Sequence, residues 1–301
     1  MKRKLPSLLG SYSRMLLPRR GLGQGERVPY LAMDSRTLTF DLRHLRAYRQ
    51  HFGLDPALGV PLLYPQVISL PLHLRLLSRS RMPLSVVGLI HLRSHTRRYG
   101  LRDKHEPLQF DCRILTSRRN ELGLEVDVVT EAWHHDMLYW QSITTYLRRG
   151  DFLDAGSAPD PLPERAQWHT LEAPVHAGVQ WRVPKIVGWR YAGLSGDFNP
   201  LHLSRLMASH YGFGKPFAHG MWGLARSLTG RRLAENVRLD AHFKAPLPLG
   251  SQVKQSYRRL GKKEQWALLP ADGDGQPMLL AQLDEAPVAL LHLAAQRQRC
   301  L

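Results

Sequence analysis

Cysteine is almost absent: Cys112 and Cys300 are the only two in 301 residues. That excludes a disulfide scaffold and a cysteine-rich zinc site, and it fits a reducing compartment. No apolar run approaches the roughly 20 residues needed to cross a bilayer, so no membrane span is expected. Acidic residues are few beside basic ones, 25 against 42, for a net charge of +17. The excess is uneven: residues 1–150 hold 24 Lys/Arg and 12 Asp/Glu, net +12, and the remainder holds 18 and 13, net +5. Such a balance favours an anionic partner, with a generally solvated arginine-rich surface as the plainer alternative. Nucleic acid is not expected, because helix-turn-helix, zinc-finger and RNP patterns are missing. The basic residues are also scattered, not interleaved with aromatics.

Other absences narrow the chemistry. There is no serine-centred nucleophile elbow and no phosphate-cradling loop. Gly21-Leu-Gly-Gln-Gly25 imitates a dinucleotide fingerprint, but no strand precedes it and no helix follows at once, so it reads as a flexible joint. His134-His135-Asp136 falls at a hairpin turn and is read as a turn, not as a metal site. His91 and His95 lie four apart in strand-like sequence, where that spacing continues along one face. Neither group of histidines therefore reads as a metal site.

What is present is an ordinary globular composition, 43% hydrophobic and 22% charged, long enough for two modest domains. Residues 1–35 are basic and contain Ser. They read as a flexible or surface-lying arm of a cytoplasmic protein, and their composition overlaps with mitochondrial transit peptides. Leu38 to Phe52 reads as a strand or short helix. Tyr64 to Ser78 reads as a mostly apolar helix carrying Pro71. Strands are expected at Val86–Ser94, Leu108–Ser117, Leu122–Trp133 and Tyr139–Leu147; the third alternates Leu124, Val126 and Val128 with Glu125, Asp127 and Val129. Residues 151–175 read as a linker, rich at first in Gly, Pro, Ser and Asp. In residues 176–301, helices from about 200 and 220 precede strands near Arg238–Phe243, Gln252–Leu260, Glu264–Leu269, Pro277–Leu283 and Ala286–Leu293. Both 36–150 and 176–301 thus place helix before strands.

The chemistry concentrates in Ser195-Gly-Asp-Phe-Asn-Pro-Leu-His202 and in Gly212-Phe-Gly-Lys-Pro-Phe-Ala-His-Gly-Met221. Asn199-Pro200 looks like a helix start, with Asn as N-cap and Pro at the first helical position. The spacing predicts a helix from Pro200 to about Tyr211, with His202 in its first turn. The helix dipole there keeps the imidazole neutral and able to accept a proton. Asp197 lies two residues before the cap, so a carboxyl and a neutral imidazole sit about one turn apart, a plausible acid–base pair. A second helix opens at His219-Gly220 and runs through Met221, Leu224, Ala225 and Leu228. Gly220 leaves backbone N–H groups reachable by a carbonyl oxygen that gains negative charge.

At these residues the chain resembles the MaoC-like family of hot-dog-fold hydratases and dehydratases, whose pattern reads roughly Ser-Gly-Asp-x-Asn-Pro-x-His and then Gly-Phe-x-x-Pro-x-x-His-Gly-Met. The close match covers about residues 180–257. The resemblance implies an α+β double hot-dog: two antiparallel sheets, each wrapped around a long helix, side by side. Residues 36–150 would be a unit without the motif that shapes the acyl pocket, and 176–301 the unit with the site. It implies reversible hydration of a trans-2-enoyl thioester to an (R)-3-hydroxyacyl thioester, with no metal and no cofactor, because the thioester itself acidifies the α-proton. Asp197 and His202 would hold the reacting water, in roles the sequence leaves open. Asn199, Ser195 and His219 would bind substrate, and the Gly220 N–H would polarise the carbonyl. Coenzyme A phosphates or an acyl carrier protein would be the anionic partner, and a homodimer is compatible. A thioesterase and a non-catalytic acyl-thioester-binding protein are the competing functions.

Overall fold

The computed structural model describes residues 8–15, 17–100, 106–159, 178–272 and 275–285. Two runs of five strands dominate it. The first contains β1 (Ala32–Leu38), β2 (Leu89–Tyr99), β3 (Leu108–Asn120), β4 (Gly123–His134) and β5 (Met137–Arg149). The second contains β6 (Gln180–Arg182), β8 (Asn236–Phe243), β10 (Gln252–Leu260), β11 (Lys263–Pro270) and β12 (Leu279–Asp284). All ten form one antiparallel sheet in the order β1-β3-β4-β5-β2-β8-β12-β11-β10-β6. Read outwards from the centre, each half repeats one sequence of strands, so the sheet has a pseudo-twofold arrangement. Its seam is the β2–β8 pair, from Arg93 opposite His242 to Tyr99 opposite Asn236. Joining there removes two central edges that would otherwise be left open.

Helices cover one face. In the first half α1 (Leu8–Met15), α2 (Leu42–Phe52) and α3 (Tyr64–Leu77) precede the β2–β5 meander. In the second, α4 (Val187–Ser195), α5 (Arg205–His210) and α6 (Gly220–Ser227) precede β8. A two-residue ladder, β7 (Phe217–Ala218) with β9 (Leu247–Pro248), lies apart from the main sheet. α3 is apolar nearly all round and buried along most of its length, as expected of a helix enclosed by its own sheet. The fold is therefore the expected double hot-dog, and one hydrophobic core runs through both halves.

The alternation read in β4 has a physical consequence. Leu124, Val126 and Val128 are fully buried, and so are the acidic residues of the other face. Those acids are matched. Arg118 lies 2.5 Å from Asp127 and 2.6 Å from Glu125, Arg93 also pairs with Glu125, and Arg113 lies 2.9 Å from Glu131. Thr145 and Gln141 donate further hydrogen bonds to Asp127 and Glu131 at 2.6 and 2.8 Å. Buried charges of this kind persist because each has a partner; losing one partner costs far more than the pair contributes.

Three expectations need correction. Residues 8–38 are no loose arm: α1 lies against α3, with Ser11 and Met15 buried, and β1 forms the sheet edge beside β3. Gly21 and Gly25 are likewise tied down, donating to Pro83 O at 3.1 Å and Asp154 O at 2.6 Å. His91 and His95 do not behave as one face, because a bulge lies between His91 and Arg93. His91 lines the cavity described below, whereas His95 is buried against Asp240 at 2.7 Å. The expected strand at 286–293 and most of the expected linker lie outside the described residues. Among the described residues no helix is long and apolar enough to cross a membrane.

Candidate active site

The site is built where α4 ends. Gly196 adopts a left-handed φ of 78°, which a residue with a Cβ resists, and its N–H closes the helix on Ala192 O at 2.8 Å. The chain then turns through Asp197. Ser195 Oγ donates to Tyr191 O at 2.7 Å and accepts from the Asp197 amide at 3.2 Å. Asp197 Oδ1 accepts from the Asn199 amide at 3.2 Å, and Asn199 Oδ1 accepts from the Leu201 amide at 3.2 Å. Each side chain in this stretch thus holds the backbone of a neighbour.

Asn199 does cap a helical turn, but only a one-turn 3-10 helix, Pro200–His202. Ser204 then caps α5 separately through the Met207 amide at 3.3 Å. The single helix expected from 200 to 211 is therefore two pieces, and His202 ends the first one. A single 3-10 turn has too small a dipole to set the charge state of His202. Burial does so instead: with His219 adjoining, it pulls the imidazole down to about 3.

The tautomer follows from one hydrogen bond. His202 Nδ1 lies 2.9 Å from Phe217 O; a carbonyl only accepts, so Nδ1 carries the proton. Nε2 then holds the lone pair. Phe217 itself lies in the β7–β9 ladder, opposite Pro248. His219, 3% exposed, donates from Nε2 to Asp197 O at 2.9 Å, and its ring lies 3.8 Å from that of His202. Burial lowers His219 to about 4. The Asp197 carboxyl is raised by desolvation, opposed by His202 and by the Asn199 amide.

Asp197, His202 and His219 line one end of a cavity of about 640 Å³. Most of its surface is apolar and comes from both halves: Leu70, Leu74 and Leu77 of α3, with Met221, Phe243 and Leu268 from the second half. Gly220 opens α6 beside the two histidines, and its N-cap residue His219 makes no side-chain capping bond. The amide of Gly220 has no intrahelical partner by position. A Cβ at 220 would stand 2.7 Å from the Phe243 ring, so the site requires glycine.

All six residues singled out by sequence, Asp197, His202, Gly220, Asn199, Ser195 and His219, line this cavity or its walls. Ser195 differs from expectation in its contacts, since both hydrogen-bonding directions of its hydroxyl go to backbone. Ligand atoms of Asp197, His202 and His219 lie within 4.8 Å of one another and could approach a cation. One nitrogen of each histidine is already committed to a carbonyl. Sequence reasoning missed Tyr12, His91, Tyr146 and Tyr191, all of which line the cavity. His91 is lowered to about 4 by burial. It also missed Gly188, where an added Cβ would stand 2.3 Å from His202 O. These positions carry no local motif and acquire their place only by long-range packing.

Comparisons with known proteins agree with this geometry. Residues 163–267 match the model of the MaoC like domain. The 3-hydroxyacyl-thioester dehydratase X of Mycobacterium tuberculosis is 28% identical over 226 residues, 74% of this chain and 79% of the relative. A 3-hydroxybutyryl-CoA dehydratase of Methylorubrum extorquens is 36% identical over 70 residues, 21% of this chain and 45% of the relative. The crystal structure of HtdX from Mycobacterium tuberculosis superposes with a TM-score of 0.70 at 25% identity, covering 84% of this chain and 99% of that one.

Proposed function

We propose that the chain is a MaoC-like hot-dog protein, its residues 163–267 matching the model of the MaoC like domain, and that it catalyses reversible hydration of a trans-2-enoyl thioester to the (R)-3-hydroxyacyl thioester. The observation that carries the reading is the end of the cavity. There a raised carboxyl, a neutral imidazole with its Nε2 lone pair available, and the first amide of a helix meet an apolar chamber built for an acyl chain.

The tautomer and the two shifts favour one division of labour. In the dehydration direction His202 Nε2 takes the α-proton. The electron pair moves onto the thioester oxygen, where the Gly220 N–H receives the developing charge. As the enolate collapses, the bond from Cβ to the hydroxyl oxygen breaks and Asp197, protonated, gives its proton to the departing group. Water leaves, and the imidazolium returns its proton to the carboxylate through that water. Hydration runs the same path backwards. The thioester itself acidifies the α-proton. His219 holds Asp197 from its backbone oxygen and disfavours a lasting charge on His202. Asn199 and Ser195 keep the loop in shape.

The cytoplasmic setting read from the scarcity of cysteine, and capture of coenzyme A or an acidic carrier protein by the basic surface, belong to the same reading. The test follows enoyl absorbance and thiol release together on crotonyl-CoA. A hydratase loses absorbance without thiol; a thioesterase releases thiol; a binding protein does neither. Asp197→Asn and His202→Ala should each lower turnover by roughly a hundredfold, the usual scale for general acid–base groups, with unchanged melting. Near-normal turnover in either variant removes that residue from the mechanism.

A further inference from the structure

The loop that carries Asp197 is held from outside its own half of the molecule. Tyr12, on α1, donates its hydroxyl to Gly196 O at 2.8 Å and accepts from the Phe198 amide at 2.7 Å. Its two bonds therefore bridge the residues on either side of Asp197. The ring meets Phe198 edge-on with centroids 6.3 Å apart. Leu8, one helical turn earlier, packs at the back of Gly196, with its Cδ1 3.1 Å from where a Cβ would stand. One step upstream, His44 of α2 places Nε2 2.7 Å from Leu194 O while Nδ1 meets the Tyr64 hydroxyl at 2.9 Å. A carbonyl can only accept, so His44 donates to Leu194 and its other nitrogen accepts from Tyr64.

We propose that Tyr12 is a positioning residue for the acid–base carboxylate: the N-terminal helix closes over the catalytic loop and holds the Asp197 peptide between two hydrogen bonds. This rests on the function proposed above. Tyr12 acts through Asp197 and not on substrate, because both its hydroxyl bonds go to backbone. Asp197 is held through its own backbone by Ser195 Oγ on its amide and His219 Nε2 on its carbonyl, and among the described residues its carboxyl has one partner at hydrogen-bond distance, the Asn199 amide at 3.2 Å. The bridge adds a constraint at the two adjacent peptides. A loop released by even a fraction of an ångström misplaces a group that must meet a proton in the transition state.

The experiment uses the full chain and Tyr12→Phe, which removes one oxygen and keeps the ring against Phe198. Hydrogen exchange of the segment 194–203 is compared with wild type in the free protein, alongside turnover on the enoyl thioester. Exchange of that segment should speed up while the rest of the molecule is unchanged. Turnover should fall about tenfold with KM moved less than twofold, the pattern of a displaced reacting group and not of weakened binding. Normal exchange overturns the bridge. Faster exchange with normal turnover overturns its role in positioning, and so does a loss that appears only in KM. If wild type proves inactive on enoyl thioesters, the proposed function falls and the exchange measurement still decides the bridge. Tyr12→Leu, which also removes the ring contact, should exceed Tyr12→Phe in exchange; equality with wild type in both variants overturns the proposal.

Discussion

Gly188→Ala tests the site through a single methyl group. Gly188 is buried in α4, and an added Cβ would stand 2.3 Å from the carbonyl oxygen of His202. An ordinary contact begins near 3.4 Å, so the two segments must separate by about 1 Å. Both sides resist. α4 is fixed by its contacts with the first half, and the His202 ring is tied to Phe217 O at 2.9 Å. The movement therefore falls on the imidazole, which swings or loses that bond and with it the tautomer. A misplacement of about 1 Å costs on the order of a hundredfold in turnover, or about 3 kcal/mol in the barrier. Stability should change far less, since alanine gains about 1 kcal/mol over glycine inside a helix and offsets part of the strain. Gly193→Ala is the internal control. It lies in the same helix, exposed, with nothing within 4 Å of its Cβ position, and should be neutral or slightly stabilising with full activity. The assay is enoyl-thioester turnover with melting measured on the same samples. Equal turnover in Gly188→Ala and wild type would refute the claim that α4 sets the position of His202.

Acid should weaken the fold before it reaches the carboxylates. His73 and His219 are fully buried and lowered by burial to about 3 and about 4, against about 6.5 unfolded. Below pH 6.5 the unfolded chain takes up protons that the folded chain rejects, so stability is full above that pH and falls as pH drops towards 4. One unit below 6.5 the two together cost about 3 kcal/mol, read as a lower urea midpoint at pH 5.5 than at 7.5; coincident midpoints would sink the argument. The net charge of +17 predicts a KM that rises with salt between low and moderate ionic strength, since exposed attraction is screened over about 10 Å at 0.1 M. A KM flat with salt for both coenzyme A and carrier-protein substrates leaves the basic surface as solvation alone.

The parts legible in the sequence are those with a local physical signature. Two-residue alternation marked β4, the apolar run from Tyr64 marked α3, and Asn199-Pro200 and His219-Gly220 marked the two helix starts around the site. α4 escaped because its N-cap, Ile186, makes no side-chain bond and two glycines interrupt its short apolar face. The break between the 3-10 turn and α5 had a signal in Ser204, a second N-cap residue four positions after Pro200, which the apparent continuity of the helix obscured. β1 is polar along much of its length and is a strand only because β3 pairs with it. Tyr12 meets the Asp197 loop across 184 residues of chain, and no periodicity or spacing encodes such a contact. The bulge in β2, which sends His91 to the cavity and His95 to Asp240, is likewise a property of the pairing and not of either strand alone.

The pseudo-twofold sheet raises the question of why the proposed chemistry lies in one half. By strand order α3 stands where α6 stands in the other half. α6 begins His219-Gly220, so its first turn offers a bare amide to a carbonyl oxygen. α3 begins Leu63-Tyr64-Pro65, with proline in its first turn. The amide that corresponds to Gly220, that of Tyr64, already donates to Pro61 O at 3.0 Å, and Pro65 beside it has no N–H to offer. The Tyr64 side chain is fully buried among Phe40 and Tyr48, with its hydroxyl engaged by His44. An enolate has neither a donor nor room there. The same half still serves the site it lacks: α3 lines the cavity with Leu70, Leu74 and Leu77, α1 supplies Tyr12, and α2 supplies His44. The aromatics that occupy the start of α3 thus leave this half to wall the cavity. Placing the chemistry in this half would require a free first amide, an acid and a base to appear together at the start of α3.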